Sequence, residues 1–524
     1  MSTLNYVDFL DRSAKLAGNR KALIDDHGSY THTELANQTN RIGNALIAKG
    51  FKPETPFAVL SPNTNLAMIS IIGGIRAGGA WSNINLRSGV TIIKDLLHRG
   101  GCQALFFHSS VADQISEIEQ GVEALQFIIC IDKEVSGYPS LAQFIEDAPE
   151  THCNIYLPEN GVGFQGSTGG TTGAPKITQA GQCLLTYSAL AFMTSLTDFN
   201  QNTPPINLAV APITHAGGFV ALAVLAFGGT VVMMATADPE QILRNISVHK
   251  ISLIFMPPTL IYVLMNHPKC KETDFSSLRY LISAAAPFAV EKIARAHEIF
   301  GPVVCQSFGQ TESGFPLTFI SPETVTAALS NPAQAGRLQS VGQPTITTSA
   351  IEILDDAGEI LPPDEVGEMA VRGPTVMFRY LNDPEATKAI QSNGWQRTGD
   401  LGYRDKDGFI YISDRKRDLI ISGGFNVFPL EVEQTLLQHP AVQDCAVIGV
   451  PDEKWGEAVK AVVELAPGAD VADTILIALC KEKLGSVMAP KSVDFIEELP
   501  RSAVGKVLKR EIRKTYWQDK KESI

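Results

Sequence analysis

Gly166-Ser167-Thr168-Gly169-Gly170-Thr171-Thr172-Gly173-Ala174-Pro175-Lys176 sets four glycines, four hydroxyl side chains and one lysine within eleven positions. Glycine lets successive N–H groups turn into one concavity at little steric cost. Hydroxyls and a cation add donors around it, and such a nest suits a polyphosphate. How the run ends decides which fold can carry it. A Walker loop needs Gly-Lys-Ser/Thr opening a helix, whereas Lys176 follows Pro175 and precedes Ile177. Pro175 disfavours helix at Ala174, so the loop should run out into extended chain. Just upstream, Gly161-Val162-Gly163-Phe164-Gln165-Gly166 fits GxGxxG. No helix signal follows it, and no acidic residue stands about 20 positions on, as a dinucleotide site would want, so the match reads as chance. Taken alone, the hydroxyl-rich loop also fits a flexible surface turn.

The sequence on both sides of the loop reads as α/β. Thr31-His32-Thr33-Glu34 is a capping-box pattern opening an amphipathic helix to about Lys49. Pro56–Leu60 reads as a buried strand, with a helix from Asn63 onward. Apolar strand runs recur at Ala104–Phe107, Phe127–Ile131, Leu208–Ala211, Thr230–Met234, Leu253–Phe255 and Tyr280–Ser283, with helical stretches between them. That alternation predicts parallel sheets covered by helices. From about Gln343 the strands become short and are separated by Asp/Gly turns, which predicts an antiparallel, barrel-like subdomain. After Asp414-Arg415-Lys416-Arg417-Asp418 the texture changes again, to a small α+β unit. The expected architecture is α/β: a large N-terminal domain over 1–416, with two helix-covered sheets and the barrel-like part, and a small α+β domain over 417–524.

At 524 residues the chain exceeds one ordinary core. Its 44% hydrophobic and 19% charged content is that of a folded, core-forming protein. A net charge of −13 makes nucleic acid a poor partner. The eight cysteines form no CxxC pair and sit at no zinc spacing, so small buried thiols in a reducing cytoplasm are expected. No signal peptide is legible at the N-terminus. Ile206 to Ala237 lacks Asp, Glu, Lys and Arg and imitates a membrane span. Pro212, His215 and the pairs Gly217-Gly218 and Gly228-Gly229 divide it into pieces shorter than the roughly 20 residues a span needs. Strand, loop, helix, strand is the expectation, with peripheral membrane contact left open.

Four further segments carry polar groups that plain packing does not need. His215 lies inside the apolar stretch, where it is either a hydrogen-bonded core residue or a site residue. Phe308-Gly309-Gln310-Thr311-Glu312 ends an apolar run and offers a ring for a purine and a carboxylate for Mg²⁺. Thr398-Gly399-Asp400 puts a carboxylate after a glycine, to meet ribose hydroxyls or to cap a turn. Pro500 to Lys506 places a lysine on a glycine-containing loop near the C-terminus.

In this order and spacing the segments resemble the acyl-adenylate-forming family of acyl-CoA synthetases, luciferase-like enzymes and nonribosomal-peptide adenylation domains. Thr168–Lys176 matches that family's Thr-Ser-Gly-Thr-Thr-Gly-x-Pro-Lys, with Gly169 in place of Ser. Phe308–Glu312, Thr398–Asp400, Asp414–Ile420 with Ser422-Gly423-Gly424, and Gly505-Lys506 match its later motifs. The resemblance implies ATP, Mg²⁺ and coenzyme A as cofactor and co-substrates, with a small-molecule carboxylic acid activated as its adenylate. It implies that Thr168, Gly169, Gly170, Thr171, Thr172, Gly173 and Lys176 wrap the β- and γ-phosphates. Ala284, Ala285, Ala286 and Pro287 would line the adenine site beside Phe308, Gly309, Gln310 and Thr311. Glu312 with Thr168 would bind Mg²⁺, and Asp400 and Arg415 would hold the ribose. Lys506 would bridge the acid and the α-phosphate, and His215 would lie near the carboxylate. Arg417 would be the hinge, and Gly423 and Gly424 would approach the pantetheine.

Family members rotate the C-terminal domain between adenylation and thioester formation, so no enzyme nucleophile is implied, and no GxSxG elbow is found. The small or apolar residues near Phe219, Ala284–Ala286 and Gly309–Gly314 point to an uncharged hydrophobic acid rather than an amino acid. Ile177 and Arg379 depart from the glycines common in relatives. A carrier-protein acceptor, or a non-catalytic nucleotide-binding protein of this fold, remains the alternative; a homodimer is compatible with either.

Overall fold

The computed structural model describes residues 4–158, 160–168, 175–348, 350–501 and 507–517. A seven-stranded sheet runs in the order Arg379–Tyr380, Ile177–Gly181, Val162–Ser167, Ala80–Asn83, Pro56–Leu60, Ala104–Phe107, Phe127–Cys130. A nine-stranded sheet runs Gln343–Pro344, Gly314–Ile320, Val304–Gln310, Tyr280–Ser283, Leu253–Met256, Ile206–Ala209, Thr230–Met233, Lys21–Asp25, Gly28–Thr31. The centres of both are parallel; both edges of the nine-stranded sheet are antiparallel, as is the Arg379–Tyr380 edge of the seven-stranded one, whose other edge stays parallel.

Strand periodicity sorts the side chains into layers. Phe57 and Val59 face the core shared by the two sheets, while Ala58 and Leu60 face an outer core. The shared core also takes Leu23, Val231, Phe255 and Tyr280 from the larger sheet, whose Leu208, Val232, Ile254 and Leu281 face a further outer core. The result is helix, sheet, helix, sheet, helix. Helices Asn65–Arg76 and Ala216–Ala226 belong to the middle layer and are buried nearly all round, which is why they are apolar on every face. The stretch that imitates a membrane span is therefore a strand, a core helix and a strand, as expected from its punctuation. No helix of the described residues is long and apolar enough to cross a membrane.

Local signals hold where they are strong. Helix His32–Ala48 begins with the predicted capping box: Thr31 Oγ1 accepts from Glu34 N–H at 3.2 Å and the Glu34 carboxylate accepts from Thr31 N–H at 2.8 Å. The antiparallel subdomain is a five-stranded sheet built on the long strand Trp395–Arg404, which pairs with Gly367–Arg372, Gln391–Ser392 and Ile410–Arg415. The chain then enters a second five-stranded sheet, starting at Ile420–Ser422 and centred on the hairpin Val442–Asp452/Gly456–Leu465. Helix Asp473–Met488 of this part is broken at Gly485 (φ 82°). The cysteines are free thiols, most of them buried.

Candidate active site

The Gly166–Lys176 loop joins two antiparallel strands. Thr168 N–H donates to Lys176 O at 2.9 Å, closing the mouth of the loop, and Ile177 continues directly into its strand. Pro175 thus does what its chemistry predicts, and the GxGxxG run lies largely within strand Val162–Ser167. Gly169, Gly170, Thr171, Thr172 and Gly173 lie outside the described residues, as does Lys506. Ser167 is held from the next strand: its N–H donates to Asn83 Oδ1 at 2.8 Å and its hydroxyl to Asn83 O at 3.1 Å. Both departures at the loop have packing reasons. Ile177 belongs to the outer core with Leu97 and Cys102, and Arg379 Nε donates to Gln179 Oε1 at 2.9 Å across the edge strand pair.

The segment Phe308–Glu312 is brought against the stem of this loop. A Cβ at Gly166 would stand 2.2 Å from Thr311 Cγ2 and 2.7 Å from Thr178 Oγ1, so only glycine allows the approach. Gly309 and Gln310 complete strand Val304–Gln310, and Phe308 packs on the core of the antiparallel subdomain. Glu312 accepts the Tyr380 phenol at Oε1, 3.0 Å, and Lys176 Nζ stands 4.8 Å from the centre of the Tyr380 ring. Gln396 ties in the third motif: its Nε2 donates to Glu312 O at 2.8 Å and to Ser313 Oγ at 2.6 Å. Gln396 sits on strand Trp395–Arg404, which also carries Asp400.

Asp400 and Arg415 face one another across paired strands, with Arg415 Nε 3.5 Å from Asp400 Oδ1. Asp400 is buried and Arg415 half exposed, so the pair presents its cationic end to solvent. Burial and the adjacent Arg415 lower the Arg417 pKa, opposed by Asp418, Asp400 and Glu312. Ala284 is buried, whereas Ala285, Ala286 and Pro287 are exposed at the end of strand Tyr280–Ser283. Ala285 holds φ +73°, a strained value for a residue with a Cβ, and such strain gathers at ligand sites.

His215 caps the core helix Ala216–Ala226, and burial pushes its pKa down to about 4, leaving it neutral at pH 7. The turn that sets it is held by Asn63, whose Oδ1 accepts from Ile213 N–H at 2.9 Å and whose Nδ2 donates to Ala209 O at 2.9 Å. A Cβ at Gly218 would lie 2.0 Å from Ile213 O, so this tight turn requires glycine. Gly423 and Gly424 lie in the C-terminal domain, with φ 59° and 83°; Gly423 packs on the Trp455 ring, and Gly424 faces open space.

The chain matches the model of the AMP-binding enzyme family over residues 10–381, and that of the AMP-binding enzyme C-terminal domain over 431–506. It belongs to the AMP-binding enzyme family. Among its relatives are a medium/long-chain-fatty-acid–CoA ligase of Mycobacterium tuberculosis, 36% identical and covering 95% of this chain and 88% of the relative. A feruloyl-CoA synthase of Amycolatopsis is 31% identical, covering 96% and 98%. The amide bond synthetase McbA of Marinactinospora thermotolerans has a solved structure that superposes with a TM-score of 0.87 at 29% identity, covering 98% of this chain and all of that one. This AMP-binding enzyme thus stands among acid–thiol ligases, with an amide-forming neighbour of the same fold. Sequence reasoning did not single out Asn63, Asn83, Tyr380 or Gln396. Each acts by supporting a motif residue from a distant strand or loop, and only the Tyr380 position, next to the departure at Arg379, carried a signal.

Proposed function

We propose that this AMP-binding enzyme is an ATP-dependent acid–CoA ligase. It activates an uncharged hydrophobic carboxylic acid as an acyl-adenylate, releasing pyrophosphate, and passes the acyl group to the thiol of coenzyme A. The observation that carries this reading is the linkage of three motifs at one point. Thr311 lies on the loop stem, Glu312 reaches Lys176 through Tyr380, and Gln396 anchors the Asp400 strand to Glu312.

In this reading the loop with Lys176 grips the β- and γ-phosphates, and Phe308 and Ala285–Pro287 flank the base. Asp400 accepts from the ribose hydroxyls, with Arg415 steadying its charge. Among the described residues no cluster of three metal-ligating side chains exists. A single carboxylate with the Thr168 hydroxyl fits Mg²⁺, which keeps waters and leans on substrate phosphates. Bound there, Mg²⁺ would offset phosphate charge during attack. Lys506 brings the acid carboxylate to the α-phosphate against their mutual repulsion. His215, neutral because it is buried, adds no charge near that carboxylate.

The second step needs a different arrangement. The chain divides near 416/417, and the smaller domain turns about Arg417, withdrawing Lys506 and bringing Gly423-Gly424 to the site. The apolar surroundings of Phe219, which packs tilted against Trp81 and edge-on against Phe164, support a hydrophobic acid.

Incubation with ATP, a panel of acids and CoA is expected to release pyrophosphate and AMP and to form a thioester. Lys506→Ala should cut adenylation by about 100-fold or more while sparing thioester formation from pre-made acyl-adenylate. Absence of pyrophosphate release with every acid would favour a non-catalytic nucleotide-binding protein. Comparison of CoA with a holo-carrier protein and with an amine identifies the acceptor.

A further inference from the structure

Tyr380 stands where the two charges of the phosphate site meet. Its phenol donates to Glu312 Oε1 at 3.0 Å, and its ring face lies under the Lys176 ammonium at 4.8 Å. Such a ring attracts a cation while its edge hydroxyl serves the carboxylate. The tyrosine is itself held from three sides. Its backbone pairs with Thr178 in the strand that leaves the loop. Its N–H donates to Thr387 Oγ1 of helix Pro384–Ile390 at 3.0 Å, and that hydroxyl donates at 2.8 Å to the carbonyl of Asp383, which caps the helix. Its side chain is buried in the core between the two sheets. The Glu312 carboxylate can only accept, so towards it the phenol acts as the donor. With Oε1 engaged by the phenol, the rotation of the Glu312 carboxylate is set, and Oε2 is the oxygen left for a cation.

Resting on the proposed roles of Glu312 and Lys176, we propose that Tyr380 is a positioning residue. It fixes the orientation in which Glu312 meets the divalent cation, and it holds Lys176 beside that cation, so that metal binding and nucleotide binding are coupled through one side chain. Tyr380→Phe separates the two contacts, because it removes the phenol and keeps the ring under Lys176.

The test uses the full-length enzyme. Mn²⁺ affinity is read by electron paramagnetic resonance in the presence of a non-hydrolysable ATP analogue, and affinity for the analogue alone is read by calorimetry in chelator. Tyr380→Phe should weaken Mn²⁺ by about tenfold, the loss of one charge-assisted hydrogen bond, and leave metal-free analogue binding unchanged. Tyr380→Leu should weaken both. In a Glu312→Gln background, Tyr380→Phe should add little, because it acts through Glu312. Thr387→Val, which loosens Tyr380 from behind, should weaken Mn²⁺ in the same direction by a smaller factor and stands in should Tyr380→Phe not fold. Unchanged Mn²⁺ affinity in folded Tyr380→Phe, or an undiminished effect in the Glu312→Gln background, overturns the proposal alone. A wild-type enzyme that binds neither analogue nor Mn²⁺ overturns the nucleotide-site reading on which it rests.

Discussion

His215 shows how one side chain can be visible in the sequence and still not readable there. Its place inside an apolar stretch suited a core residue better than a site residue, and the structure sets it at the start of a core helix. It caps a core helix, and burial lowers its pKa from 6.5 to about 4. The unfolded chain therefore takes up a proton between those values that the folded chain refuses. The stabilisation is fully present above about pH 6.5 and is lost as pH falls through about 4. His215→Asn should flatten that acid limb by roughly 2 kcal/mol, measured by urea unfolding at pH 4.5 and 7.5. The supporting residues were less legible. Asn83, Tyr380 and Gln396 act on partners 84, 68 and 84 positions away, and nothing local marks an asparagine or tyrosine as a brace.

The nucleotide loop is read correctly at the level of the element because its ends obey local rules. Proline after the nest disfavours helix at the residue before it, and a strand follows. What the sequence could not reveal is that Gly166 serves contact with another motif rather than flexibility of the loop. Gly166→Ala would drive a Cβ into Thr311 and Thr178. Overpacking there should cost about 1–3 kcal/mol and raise the KM for ATP more than that for the acid, since the displaced segment leads into Glu312. Thermal unfolding together with separate titrations of ATP and acid checks this. The two core helices show the same division. Asn65–Arg76 and Ala216–Ala226 lack an amphipathic pattern, so periodicity does not orient them; their uniform apolarity is explained by a layer with a sheet on either side.

Across the whole molecule, a group of buried charges lies where the two domains meet. Asp414, at the end of the N-terminal region, accepts Leu430 N–H at 2.9 Å from the first turn of a C-terminal-domain helix. Glu433 of that helix pairs with Lys509 at 2.7 Å, three positions beyond Lys506. Ala289 of the larger domain belongs to the same core cluster as Val432 and Val447. Burial raises the Glu433 pKa from 4.5 to about 7 despite the neighbouring ammonium. Lys509→Met would leave Glu433 and Asp414 without their cation and should cost about 3–5 kcal/mol. Because the folded-state pKa of Glu433 is raised, its contribution is present below about pH 4.5 and is lost as pH rises through 7. The variant should therefore be weaker at pH 8 than at pH 5.5 in denaturant unfolding, and Lys509→Met with Glu433→Leu should recover much of the loss. By itself the sequence determined the alternation of strands and helices, the extended exit of the Gly166–Lys176 loop and the family motifs, because each rests on periodicity, turn chemistry or contiguous residues. Only the tertiary structure decided which distant side chains hold Glu312, Lys176 and Asp400 in one place, because those contacts are made by strands that become neighbours only when the two sheets and the antiparallel subdomain pack together.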